Sequence, residues 1–220
     1  TWGNQATGRL GNGSTAAGTR LYAGKVYQGT SGTTPLTGIK WVAAGGASAL
    51  GLNTTTGKVG AWGENTYGQL GQGNLTTLSR AAVVKFDATT DLTDVTDLSC
   101  GGDHSAFVRW KTGDANLQGR VFCVGRQLYG RLGNNSVADA NIQFASQPVL
   151  KAAGVPLENI DQVAAGPGFT LALDTAGNVW AWGRNKKGVL GTGNIMDSGL
   201  AVAVKKPDGT GQLGNIVRIA

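Results

Sequence analysis

Trp62-Gly63-Glu64-Asn65-Thr66-Tyr67-Gly68-Gln69-Leu70-Gly71-Gln72-Gly73 is one of four copies of a twelve-residue phrase. The others are WGNQATGRLGNG from Trp2, VGRQLYGRLGNN from Val124 and WGRNKKGVLGTG from Trp182. The copies begin at 2, 62, 124 and 182, so the spacings are 60, 62 and 58 residues. A period of that length marks a repeat architecture and decides the fold before any local reading does. Repeat surfaces are built for binding more often than for chemistry.

A second phrase runs ahead of the first. Ile39-Lys40-Trp41-Val42-Ala43-Ala44-Gly45-Gly46 precedes Trp62, Val95 to Gly102 precedes Val124, and Ile160 to Pro167 precedes Trp182. The chain ends on Ile216-Val217-Arg218-Ile219-Ala220, at the same point of a further unit, and starts inside one at Thr1-Trp2. Residues 1–220 are therefore expected to form a single array cut mid-repeat at both ends. The partners this implies are the remainder of a longer chain or a second copy.

The third unit reads most cleanly. Ile160 to Ala165 is a short apolar strand, and Phe169 to Leu173 alternates with period two. Asp174-Thr175-Ala176-Gly177-Asn178 is a tight turn with glycine where φ is positive. Val179 to Trp182 is a third strand with both indoles on one face, and Ala201 to Val204 returns as a fourth. The fourth strands expected elsewhere are Leu21 to Ala23, Ala81 to Val84 and Gln147 to Leu150. Pro148 puts the last of these on an edge, because proline donates no ladder hydrogen bond. One such sheet buries too little to stand alone. The fold class is all-β: a propeller of four-stranded antiparallel blades, about four repeats of roughly 60 residues.

Within each phrase the leucine of Gly-Xaa-Leu-Gly plugs apolar space between neighbouring sheets, and the flanking glycines allow a tight turn. No Gly-Lys-Ser/Thr follows, so this is not a phosphate loop. Cys100 and Cys123 fall where other units carry alanine. If the hairpin pairs like the one around Ala176-Gly177, Cys123 lies opposite Ala106. Cys100 is then about 20 Å away along the strand, too far for a bridge.

Charged residues are 15% of the chain and the formal net charge is +6. Much of that excess lies in the last unit, at Arg184, Lys186, Lys187, Lys205, Lys206 and Arg218. The density permits only weak attraction to nucleic acid, which asks for a longer basic stripe with interleaved aromatics. No apolar run is long enough to cross a bilayer as a helix.

Chemistry finds little footing. His104 is the sole histidine and holds a repeat position occupied elsewhere by Ser48 and Phe169, which points to packing and hydrogen bonding. Asp103, His104 and Ser105 cannot form a triad, because adjacent strand residues point to opposite faces. Asp87, Asp91, Asp94 and Asp97 read as a solvated connection. No catalytic residue, metal site or cofactor is assigned. The candidate protein contacts are Tyr67 and Tyr129, Arg184, Lys186 and Lys187 at the loop tips, and Trp110 in a longer hairpin running to Gly119. Inter-blade packing competes for both tyrosines, which share one repeat position.

The phrases WGENTYGQLGQG, WGRNKKGVLGTG, VTDLSCGGDHSAFV and GKVGAWG closely resemble the repeats of the regulator of chromosome condensation family. The resemblance covers nearly the whole chain and implies a ring that is usually seven-bladed. It departs at Val124, where tryptophan is expected, and at Ser48 and Phe169, where histidine is. The family is functionally mixed, and its photoreceptor branch carries GWRHT-like phrases that this chain lacks. Low charge and Gly-, Thr- and Ala-rich composition are most similar to microbial or phage members. The expected function is a non-enzymatic protein-binding or structural propeller on a microbial or viral surface, extracellular or virion-associated. The alternative is an intracellular regulator that binds a small GTPase or chromatin.

Overall fold

Strands of two to nine residues, none able to bury a face alone, pair through short turns into sheets that must then stack. In the computed structural model, which describes residues 1–220, the chain opens on a ribbon of β1 (Gly3–Asn4) and β2 (Thr19–Arg20). The first complete blade is β3 (Trp41–Ala44), β4 (Ser48–Asn53), β5 (Lys58–Gly63) and β6 (Leu78–Val83). The second is β7 (Val95–Cys100), β8 (His104–Trp110), β9 (Gln118–Arg126) and β10 (Asn141–Ile142). A ribbon of β11 (Leu150–Ala152) and β12 (Val155–Pro156) leads to the third: β13 (Ile160–Ala165), β14 (Phe169–Asp174), β15 (Val179–Gly183) and β16 (Ser198–Ala203). Each blade is a four-stranded antiparallel sheet with its strands in chain order. Gly57 and Gly177 take φ of +64° and +84° in the equivalent turns, a conformation open to glycine without a Cβ penalty.

The core lies between blades. One apolar cluster joins Leu50, Leu52, Val59 and Leu70 of the first blade to Val95, Leu98, Phe107 and Val124 of the second. The other joins Ala106, Val108, Val121 and Cys123 of the second to Ile160, Val163, Ala172 and Trp182 of the third. Leu10, Leu70, Leu132 and Leu190, the leucines of the four phrases, are all buried. Leu70 and Leu132 lie in the clusters that join successive blades, where each contributes about 1.5–3 kcal/mol as a plug between sheets. Cys123 pairs with Ala106 in the β8–β9 register, and both cysteines are free and buried.

Hydrogen bonds also cross the seams. Val163 N–H donates to Asp97 Oδ2 at 2.8 Å and Ala165 N–H to Ser99 Oγ at 2.9 Å. The Trp110 indole donates to the Ile160 carbonyl at 2.7 Å. A recurrent bond ends on the eighth residue of each of the first three phrases. The Trp62 indole donates to the Arg9 carbonyl at 3.1 Å, and the Trp182 indole to that of Arg131 at 3.0 Å. Val124 has no such donor. There Ser105, its register partner, donates through Oγ to the Gln69 carbonyl at 2.8 Å. At the first seam the partner of Trp62 is Ala49, which has no hydroxyl. Loss of the indole is thus offset one strand away.

Two expected fourth strands lie elsewhere. In the opening ribbon the strand is Thr19–Arg20, and Leu21 and Tyr22 beyond it are exposed. In the second blade Asn141–Ile142 pairs with β9, whereas Pro148, with no N–H to give, makes only an isolated bridge to Phe122.

Candidate binding site

The loops following β5, β9 and β15 carry a row of aromatic and basic side chains. Arg126, at the end of β9, lies over the Tyr67 ring of the preceding blade, 4.7 Å from its centroid. Its Nε and Nη2 donate to the two oxygens of Asp139, each at 2.9 Å. Arg184, after β15, repeats the stack one blade later, 4.7 Å from the Tyr129 centroid. Such contacts contribute about 0.5–1 kcal/mol where exposed. Arg126 and Arg184 share the third position of the phrase, and Tyr67 and Tyr129 the sixth. Tyr129 is held at φ +66°, a left-handed backbone that costs a tyrosine about 1–3 kcal/mol.

Arg131 lies beneath this row and is nearly buried. Its Nε donates to the Leu128 carbonyl at 3.0 Å and its Nη1 to Asp103 Oδ2 at 3.2 Å. Burial pulls the guanidinium below its usual value, and Asp103 opposes the shift. Between Arg131 and Arg184 opens a cleft of about 430 Å³, floored by Gly168 and walled by Phe169, Lys186 and Lys187. No carboxylate lines it. A larger cleft of about 850 Å³ lies between β3, β4 and the segment around Trp2, and its lining is mainly apolar.

Of the six residues singled out in the sequence, the structure brings Tyr129, Arg184, Lys186 and Lys187 together at one seam, and places Tyr67 at the seam one blade earlier. Both tyrosines are covered by the next blade's arginine, so inter-blade packing is part of their role. Trp110, expected at an exposed tip, is instead half-buried with its N–H committed to Ile160. The hairpin turns it back onto the third blade. Sequence reasoning missed Asp103, Arg126, Arg131 and Asp139. The shared phrase positions of Arg126 and Arg184 were the available signal.

The remaining titratable groups have separate duties. His104 is fully buried; desolvation, reinforced by the charge of Arg131, pushes its pKa down to about 3. The imidazole is neutral, Nε2 lies 2.8 Å from Thr170 Oγ1, and Nδ1 has no partner. Its neighbours Asp103 and Ser105 bond to Arg131 and to Gln69, so these three consecutive residues act apart. Asp87 caps a turn at Thr89 and Thr90, Asp91 pairs with Lys58 and Lys85, and Asp94 lies 3.7 Å from Arg109. Asp97 faces blade three. Each carboxylate is used by a different partner.

A sequence profile described as the regulator of chromosome condensation (RCC1) repeat matches residues 56–108, and a second of the same description matches residues 160–189. The chain is 28% identical over 207 residues to the ultraviolet-B receptor UVR8 of Arabidopsis thaliana, covering 94% of this chain and 42% of that protein. It is 30% identical over 230 residues to the RCC2 homolog of Danio rerio, covering 96% of this chain and 43% of that protein. Among solved structures, Prp20p from Saccharomyces cerevisiae aligns with a TM-score of 0.63 at 18% identity, over 94% of this chain and 46% of that one. The chain spans about two fifths of the length of the curated relatives it matches. Paired phrases, stacked four-stranded blades and these matches agree that the chain belongs to the regulator of chromosome condensation repeat family.

Proposed function

We propose that the chain is part of a non-enzymatic, protein-binding propeller of the chromosome-condensation-regulator kind, which holds its partner on the loops that follow β5, β9 and β15. The observation that carries this reading is the row Tyr67, Arg126, Tyr129 and Arg184, with Arg131 beneath it and Lys186 and Lys187 beside it. Aromatic and arginine side chains on a rigid frame suit a protein interface, and the excess of positive charge suits an acidic partner. Prp20p supports the choice, since the report of its structure includes binding to Gsp1p and histones. The RCC2 homolog and Prp20p are regulators of chromosome condensation by name or by the binding reported for them, which favours the regulator reading. The regulator reading therefore takes precedence over the microbial-surface one. The buried, neutral His104 and the carboxylates Asp87, Asp91, Asp94 and Asp97, each bonded to its own neighbours, are in keeping with a binding role.

The test is biolayer interferometry of the chain against Gsp1p, histones and duplex DNA across a salt series. Binding to either protein with a Kd below about 10 μM supports the reading, and no protein binding at low salt contradicts it. DNA binding alone, falling steeply with salt, would mean a nucleic-acid partner instead.

A further inference from the structure

Blades two and three share one register, with His104 opposite Gly125 in one and Phe169 opposite Gly183 in the other. Side chains can therefore be compared position by position. Asp103 corresponds to Gly168 and Arg126 to Arg184, whereas Asp139 has no carboxylate counterpart in register: Ser198 pairs with Gly183 as Ile142 pairs with Gly125, which sets Asp197 against Asn141. In blade two Arg126 holds Asp139 through two hydrogen bonds and lies 4.0 Å from Asp103, which also binds Arg131. Charge is balanced there.

Blade three lacks that balance. Gly168 has no side chain, and Asp197 Oδ1 accepts from the Asn185 N–H at 2.6 Å. Arg184 forms no ion pair and no side-chain hydrogen bond; it only stacks on Tyr129. Below it, Arg131 has Nε and Nη1 committed, while Nη2 has no partner. A Cβ placed on Gly168 would lie 3.5 Å from Arg184 Cβ and 3.8 Å from Arg131 Nη2, in ordinary contact with both. The space between the two guanidinium groups is open, and it is where blade two keeps a carboxylate.

We propose that this gap is a carboxylate subsite, filled by an Asp or Glu side chain from an acidic peptide segment of the partner. That carboxylate would stand where Asp103 stands in blade two, but between Arg184 of its own blade and Arg131 of the preceding one. A cleft of about 430 Å³ admits more than one side chain, so a neighbouring carboxylate of the same segment reaches Lys186 and Lys187. Charge-assisted hydrogen bonds to a nearly buried arginine are stronger than exposed pairs, which makes the Arg131–Arg184 gap the discriminating part. The inference rests on the loop face being the binding surface.

The experiment is fluorescence anisotropy with a labelled decapeptide of alternating Asp and Glu, against its Asn/Gln counterpart at fixed ionic strength. Wild type is compared with G168D, R184Q and K111Q, each of which lowers the net charge by one. Gly168 is not in the left-handed region, so G168D supplies an internal carboxylate without backbone strain. Its thermal midpoint checks that it folds. The acidic peptide should bind wild type at least about tenfold tighter than the amide peptide, and G168D and R184Q should each lose about tenfold. K111Q, on the distant hairpin, should change affinity by less than about twofold, as for a remote exposed charge. Equal affinity of G168D and K111Q, or of the two peptides, overturns the subsite. If the peptide arm fails while Gsp1p or histone capture persists, the broader binding reading stands and only the subsite is lost.

Discussion

Replacing Ser105 with alanine should break the seam between blades one and two at a single point. Ser105 is fully buried, and its Oγ supplies the hydrogen bond that the Gln69 carbonyl receives across that seam. The substitution removes one oxygen atom and leaves the carbonyl without a partner where no indole can reach it. A buried acceptor left unpaired costs about 1–3 kcal/mol. For a chain of this size that is roughly 2–12 °C in Tm. Urea denaturation followed by tryptophan fluorescence, with circular dichroism as a second probe, measures the loss. Adding Val124→Trp should recover part of it, because Trp62 opposite Ala49 and Trp182 opposite Thr170 already make the equivalent bond. A loss below about 0.5 kcal/mol for Ser105→Ala would refute the reasoning, since an unsatisfied buried acceptor cannot be that cheap.

Three further outcomes are expected. Because His104 titrates near 3 when folded and near 6.5 when unfolded, the unfolded chain takes up the proton first as pH falls. Its contribution is full above about pH 6.5 and shrinks by ~2 kcal/mol at pH 5, so His104→Gln should flatten the dependence of urea midpoints over that range. Asp97 behaves oppositely: burial raises its carboxyl pKa despite the bonds from Val163 and Leu98. Its contribution is present below the unfolded value and lost as pH rises through the folded one. Asp97→Asn, which keeps an acceptor for Val163, should thus be neutral or stabilising at pH 7, whereas Asp97→Ala costs about 1–3 kcal/mol in the same denaturation assay. Gly130 and Gly188 occupy one repeat position with φ of +78° and +72°. A Cβ at Gly130 would come within 2.6 Å of the Ser198 carbonyl, but at Gly188 only within 3.9 Å of Asn194. Gly130→Ala should exceed Gly188→Ala in destabilisation by about 1–3 kcal/mol of overpacking; equal losses would mean the blades do not meet there.

What could be read in advance follows from the range of each interaction. Strand pairing within a blade is local, so Phe169–Asp174, the Gly177 turn and the Ala106–Cys123 register were legible from alternation and turn chemistry. Leu70 was legible as a plug because it recurs. The seams were harder. The bond from Ser105 to Gln69 spans 36 residues, and nothing in either segment marks serine as the substitute for an absent indole. Trp110 was misplaced because its hairpin looks like an exposed insertion until Ile160 is beside it. Arg131 reads as a surface cation until the third blade covers it. The gap at Gly168 becomes visible only when the blades are superposed in register, since a glycine in a glycine-rich chain attracts no notice.

Side-by-side stacking of the blades is the claim on which all else depends, and the Trp182 indole tests it most directly. Its N–H donates to the carbonyl of Arg131, 51 positions earlier in the chain. A nuclear Overhauser spectrum should therefore show the Trp182 Hε1 resonance slow to exchange and cross-relaxing with Arg131 and Gly133. A rapidly exchanging indole, with cross-peaks confined to β14–β16, would contradict the stack.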